Sequence, residues 1–239
     1  MNARHRLFLL AAAALFGVGA QAATTITGSG NPASETRQVP EFDAIDLQGS
    51  VQLKVRQAAV RSVRVEADDN VLPVIETEVS GSTLKIGPRR NTDLRPRRPI
   101  VVTIEVPQLK SIDAAGAGDV QVDGMKSSSF ALNLAGSGKA QLKGMDCGDM
   151  RIGISGSGDV QAEGRATSLA ISIAGSGDVK ASELRSDDVR VRVAGSGDAV
   201  VHANKSLDVS IAGSGDVTYG GDATRVKTSV AGSGHIGRQ

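Results

Sequence analysis

The sequence predicts an all-β fold: a single-stranded parallel β-helix or β-roll solenoid of about 18–20 residues per coil, with an atypical β-rich cap at its N-terminal end. Three observations carry this. A four-residue motif recurs seven times at nearly even spacing, and apolar residues alternate on both sides of each copy. Only 2% of the 239 residues are aromatic, so the interior must be filled by Val, Ile, Leu and Ala, which suits a stacked and uniform core.

The first element lies outside the fold. Arg4 and Arg6 precede an apolar run from Leu7 to about Ala20, closed by Ala20-Gln21-Ala22. This is the three-part plan of a secretory signal, with cleavage expected after Ala22. The run is shorter than the roughly 20 residues a spanning helix needs, and no second apolar stretch follows, so no transmembrane segment is expected in the mature chain. Removing residues 1–22 leaves 25 basic against 26 acidic residues. A nearly neutral exported protein, periplasmic or extracellular, follows, and a strongly basic nucleic-acid binder is excluded. No cysteine stands just after the expected cut, so a lipid anchor is not expected.

Residues 23–41 are rich in Gly, Ser, Pro and Thr and read as a flexible leader, although Thr27-Gly-Ser-Gly30 resembles a stray corner. From Phe42 alternation begins, with Ile45 and Leu47 preceding Gly49 as a degenerate first coil. Ser62 to Ala67, Ile75 to Val79, Thr83 to Ile86 and Ile100 to Val106 read as further strands, with a short helical turn at Asp69 to Val74. Terminal repeats are commonly atypical because one face must end the stack. Residues 42–112 are therefore expected to cap the repeats at 113–239. Within the cap, Arg89 to Arg98 carries five arginines and one proline. It reads as a solvated loop between strands, with contact to lipid phosphates or acidic glycans as the functional alternative.

The seven copies are Gly116-Ala-Gly-Asp119, Gly136-Ser-Gly-Lys139, Gly156-Ser-Gly-Asp159, Gly175-Ser-Gly-Asp178, Gly195-Ser-Gly-Asp198, Gly213-Ser-Gly-Asp216 and Gly232-Ser-Gly-His235. Their first glycines are 20, 20, 19, 20, 18 and 19 residues apart. Apolar residues stand six, four and two positions before the first glycine of five copies, from Phe130/Leu132/Leu134 to Leu207/Val209/Ile211. A shorter alternation follows the motif, as in Val120/Val122 and Val160/Ala162. Each unit thus reads as strand, tight corner, strand and looser turn. Equivalent strands about 4.8 Å apart make six intervals on the order of 29 Å long.

Stacking predicts columns of equivalent outward residues. Arg190, Asp208 and Lys227 are expected to alternate in charge up one face, and Gln121, Gln141 and Gln161 to form an amide ladder. The column Asp119, Asp159, Asp178, Asp198 and Asp216 is the one that suggests chemistry, since stacked Gly-Asp turns hold calcium in nonapeptide toxin repeats. Here the period is twice as long, and Lys139 interrupts the column. The aspartates are therefore read as turn formers accepting amide hydrogen bonds, and no metal or other cofactor is expected.

Catalytic types are sparse. A polysaccharide lyase or hydrolase on a β-helix needs carboxylates at a set separation in a cleft, and sugar clefts usually offer aromatic platforms. After signal removal only Phe42, Phe130 and Tyr219 remain, the last two at inward positions. His202 ends a strand and His235 occupies the last corner, neither with a nucleophile at motif spacing. Cys147, the one cysteine, is expected as an exposed thiol in a turn. No catalytic residue is assigned, and the chain reads as a non-enzyme.

Val-Arg-Val-Ala-Gly-Ser-Gly-Asp198 and its copies resemble the bacterial family labelled putative autotransporter adhesin head, or GIN, domain. So do Phe42-Asp-Ala-Ile-Asp-Leu, Val63-Arg-Val-Glu-Ala-Asp-Asp-Asn-Val-Leu-Pro73, Thr83-Leu-Lys-Ile86, Val102-Thr-Ile-Glu-Val-Pro107 and Leu109-Lys-Ser-Ile112. The likeness runs from about Phe42 to the C-terminus. It implies a secreted β-helical domain with no catalytic residues to carry over. From the signal, the repeat and the poverty of catalytic types, the chain is expected to present a binding or scaffolding surface in the cell envelope, adhesin-like, to envelope glycans or surface proteins. Only four residues follow His235, so surface display is expected to need another protein.

Overall fold

The computed structural model describes residues 24–239. The expected signal, residues 1–22, lies outside the described residues. The chain is a β-solenoid of about six turns, and its seven Gly-x-Gly corners bound the six intervals expected from the sequence.

The N-terminal part holds β1 (Thr24–Thr27), β2 (Pro32–Thr36), β3 (Ala44–Gln48), β4 (Val51–Gln57), β5 (Ser62–Asp68), β6 (Ile75–Ser80), β7 (Thr83–Pro88), β8 (Thr92–Arg95) and β9 (Ile100–Val106), with one 3-10 turn at Leu72–Val74. β3 and β4 form a coil flanked in parallel by β7 and β9 on one side and by the repeats on the other. Antiparallel strands then close this end: β6 lies on β7, β5 on β9, and β2 on β5. Reversing direction replaces an open parallel edge with hairpin-like pairs.

Two expectations fail here. The leader is not free: Ile26 and Ala33, on β1 and β2, pack against the core. The arginine-rich segment is not wholly loop either, since β8 pairs in parallel with β1. Thr92 and Leu94 face inward between Asp93 and Arg95, an alternation that charge hides in the sequence.

The repeats comprise β10 (Ser111–Gly116), β11 (Val120–Asp123), β12 (Lys126–Gly136), β13 (Lys139–Gly156), β14 (Asp159–Gly175), β15 (Val179–Gly195), β16 (Ala199–Gly213), β17 (Val217–Gly220), β18 (Arg225–Gly232) and β19 (Ile236–Arg238). All of their pairings are parallel, with equivalent residues in register from Ile112↔Leu132 to Ile211↔Val230. The three inward columns before each corner are buried up to Leu207, Val209 and Ile211, each 1% exposed. Each such side chain contributes about 1.5–3 kcal/mol. Among the described residues no strand lies above the last coil, and Val226 and Val230 are each 43% exposed.

The looser turn of the expected repeat is a third strand segment. β13 to β16 run unbroken from one corner to the next, and Met145, Cys147, Ala166, Leu184 and Ala203 line a third inward wall. Register shifts between Leu142 and Met145, and between Ala181 and Arg185, absorb the difference in coil length. Bulges therefore take up variation that the corner cannot.

Both corner glycines need the space, and the first needs the backbone conformation as well. A Cβ on Gly175 or Gly177 would stand 2.2 Å from the carbonyl oxygen of Gly156 or Gly158, respectively, in the coil before, and Gly175 in addition has φ +133°. Replacing Gly177 by Ala, or Gly175 by Val, is expected to lower stability by at least about 2 kcal/mol in urea unfolding. Gly81→Asn, at φ +64° with open space around it, should cost under about 1 kcal/mol because Asn tolerates this conformation.

Candidate functional site

Each corner is tied to the coil before it through backbone groups. The amides of Ser157, Ser176, Ser196 and Ser214 each donate to the oxygen of the first glycine one coil earlier, at 2.9 Å. The aspartates continue this tie. Asp178 Oδ1 accepts from the Asp198 amide at 2.9 Å, Asp198 Oδ1 from the Asp216 amide at 2.7 Å, and Asp216 Oδ1 from the His235 amide at 2.8 Å. Asp119 receives the Lys139 amide at 3.2 Å in the same way. The expected turn-forming bond inside one coil is thus replaced by a bond to the next coil. Among the described residues no group of three His, Cys, Asp or Glu side chains is placed to hold a metal ion.

The flank has a different character. Where the third wall bends into the strand before the corner, residues seven and five positions ahead of the glycine point outward, and the buried residue between them forms the floor. Four coils then build a groove of about 300 Å3 whose rims include Asp149, Ser168 and Asp188 on one side and Arg151, Arg190 and Asp208 on the other. The rims follow the register Asp149↔Ser168↔Asp188 and Arg151↔Ala170↔Arg190↔Asp208. Ser168 donates to Asp149 and Ser206 to Asp188, so each carboxylate is oriented by the coil above it. Arg190 meets Asp208 at 3.5 Å, as the expected alternation of charge requires. Ala170 leaves a gap between Arg151 and Arg190, whose backbone positions are two coils or about 9.6 Å apart. Among the described residues no carboxylate lies within ion-pair reach of Arg151. Nearby, the Arg165 guanidinium holds the Asp146 carboxyl below its ordinary range at 2.7 Å, and Lys205 does the same for Asp187 at 2.8 Å.

A family model described as "Putative auto-transporter adhesin, head GIN domain" matches residues 41–223. The chain belongs to this family. Among solved structures, a putative adhesin of Bacteroides fragilis is 27% identical with a TM-score of 0.82, covering 90% of this chain and 100% of that one. A putative lipid binding protein of Parabacteroides distasonis is also 27% identical over 90% of this chain and 100% of that one, with a TM-score of 0.73. A putative adhesin of Parabacteroides merdae, at 20% identity and a TM-score of 0.70 over 91% of this chain and 100% of that one, shares the fold. Among curated proteins none matches.

The remaining marked residues of this GIN domain are scattered. His202 Nε2 lies 3.2 Å from Asn204 Oδ1 on one strand, while His235 sits at the last corner. Phe130 is buried in the core, Tyr219 is half-buried beside it, and Phe42 is buried under the Arg61 guanidinium, 5.3 Å from the ring centre. The three glutamines do stack in register, but Gln121 donates to Asp123 rather than along the column. Of the arginine segment, Arg89 pairs with Glu76 at 3.2 Å and Arg95 with Asp93 at 3.5 Å. Among the described residues no helix is long and apolar enough to cross a membrane.

Cys147 contradicts expectation: it is buried in the third wall, 5% exposed, where burial pushes its thiol up to about 11 from an ordinary 9.0. A residue the sequence did not mark is Asp68, fully buried, which accepts amide bonds from Gly30 at 3.0 Å and Arg97 at 2.8 Å. Its neighbour Asp69 is exposed and has the same side chain; Asp68 lies on the outward phase of β5 with Arg64 and Glu66, and it is buried because Gly28, Gly30 and the backbone of Arg97 and Arg98 close over it.

Reaction of Cys147 with a neutral-pH thiol reagent is expected to be about a hundredfold slower in the native protein than in the unfolded chain, from loss of thiolate alone. Calcium should leave the melting temperature where a chelator leaves it, because the corner carboxylates already hold the next coil's amides. A clear rise with calcium would reinstate the metal reading.

Proposed function

We propose that the chain is a non-enzymatic, exported binding or scaffolding protein of the bacterial cell envelope, adhesin-like in presenting a rigid flank to envelope glycans or surface proteins. On this reading residues 1–22 direct export and are removed after Ala22, and residues 42–239 act as one domain, with 42–112 capping the stack. The observation that carries it is the flank groove, whose rims repeat with the coils and whose carboxylates are oriented by serines one coil away. A surface built this way recognises a partner at little ordering cost, since its side chains are already placed. Its mixed charge suits hydroxylated or zwitterionic partners better than a uniformly charged one.

Cell fractionation tests the location, with protease applied to intact cells and the mature protein followed by immunoblot. Loss of the protein from intact cells is expected for a surface adhesin, whereas protection with release on osmotic shock makes it a periplasmic scaffold. The mature protein should begin at Ala23. Arg151→Glu combined with Arg190→Glu is expected to reduce retention on isolated envelope glycans about tenfold at unchanged melting temperature, measured by pull-down.

A further inference from the structure

The closed end of the solenoid carries a second concavity, of about 430 Å3, on the outer side of β2, β5, β9 and β4. Register places Ser34 beside Glu66, Glu66 beside Val101 and Val101 beside Gln52. A hydroxyl, a carboxylate, an isopropyl group and an amide thus lie in one row across four strands. Arg64 borders this row, bonded to Ser34 at 3.2 Å and to Glu66 at 2.9 Å. Arg98 and Pro99 form the remaining wall just before β9.

That wall is held from beneath. Buried Asp68 accepts the amides of Arg97 at 2.8 Å and Arg98 at 3.3 Å, and on its other side the amide of Gly30 at the approach to β2. Gly28 is needed for this arrangement, because a Cβ there would meet Asp68 Oδ2 at 2.0 Å. One carboxylate therefore ties together both sides of the pocket, β2 and the end of the arginine segment. Arg64 has its partners in Glu66 and Ser34, but among the described residues Arg98 has no carboxylate within ion-pair reach. Its backbone is set, and it lines the pocket with its charge uncommitted.

We propose that this pocket binds an acidic saccharide residue, a hexuronate within a glycan chain. The sugar carboxylate pairs with the Arg98 guanidinium in the two-bond geometry that arginine favours. Ring hydroxyls donate to Glu66 and exchange hydrogen bonds with Gln52 and Ser34, and the C–H face of the ring lies on Val101 and Pro99. A bare phosphate would use Arg98 alone and face the negative charge of Glu66. A lipid headgroup would want exposed apolar anchors beside it, yet the large exposed hydrophobics, Val60, Val226 and Val230, do not line this pocket. The pocket is separate from the flank groove, so each reading stands or falls without the other.

Calorimetry on the mature chain, with trigalacturonate and a glucuronate-containing disaccharide as probes, tests the proposal. Binding of at least one is expected, with no binding of an uncharged galactose oligomer. Arg98→Gln should weaken that affinity about tenfold or more, while Arg192→Gln, at an exposed arginine of β15 that lines neither concavity, leaves it unchanged. Asp68 holds backbone amides rather than the Arg98 side chain, so the Arg98→Gln melting curve should match that of the parent. Binding of neither uronate, equal binding of the uncharged oligomer, an Arg98→Gln variant that binds as before, or binding only to phosphatidylglycerol vesicles or inorganic phosphate would each overturn it.

Discussion

The approach of one corner to the next governs this structure. Successive coils come so close at the second glycine that no side chain fits between it and the carbonyl oxygen below, and the serine amide between the two glycines spans the same gap. Coil pitch is thereby set at one edge by backbone groups alone. The three inward columns fall into line because their strands leave and arrive at corners that are already in register. The core need not specify its own alignment, which is why side chains as plain as Val, Ile and Ala suffice to fill it.

Registration at the corner also fixes what lies outside. Outward residues recur one coil apart on the flank, and hydrogen bonds between neighbours in the same column orient them. The corner aspartates belong to the same scheme, because the carboxylates of Asp119, Asp178, Asp198 and Asp216 each have an amide of the following coil as a partner. Acidity along the column serves cohesion there, and the groups available for recognition stand instead on the flank and at the closed end.

The repeats, their corners and the inward columns were all legible in the sequence, because period, alternation and fixed motif length point the same way at every copy. What escaped has a shared cause. The third wall carries one or two inward residues per coil, such as Met145 and Cys147, and bulges shift it from copy to copy. No period survives that irregularity, and Cys147 consequently read as exposed. β1, β2 and β8 are short strands whose partners lie far away in the chain, Thr24 with Thr92 and Ala33 with Ala67. Composition marks such segments as loop, and only long-range pairing makes them strands. The flank was half legible: the sequence indicated the charge column from Arg190 to Lys227, but not that the neighbouring Asp and Ser column would turn it into a groove. Asp68 was hidden because it shares the outward phase of β5 with Arg64 and Glu66, and only the distant segments around Gly30 and Arg97 bury it.

The two ends of the stack are unlike. Antiparallel strands finish the first, whereas β18 finishes the second with its valines half uncovered and its backbone edge bare among the described residues. Because every corner is built alike, that edge offers a further coil the same ledge that β16 offered β18. The molecule is in this sense a ruler with one finished end: duplicating a unit of about 19 residues would lengthen it by one graduation of about 4.8 Å and leave every other mark where it was. Reach can then be tuned in whole steps by copying sequence already present, without redesign of the closed end or of the core.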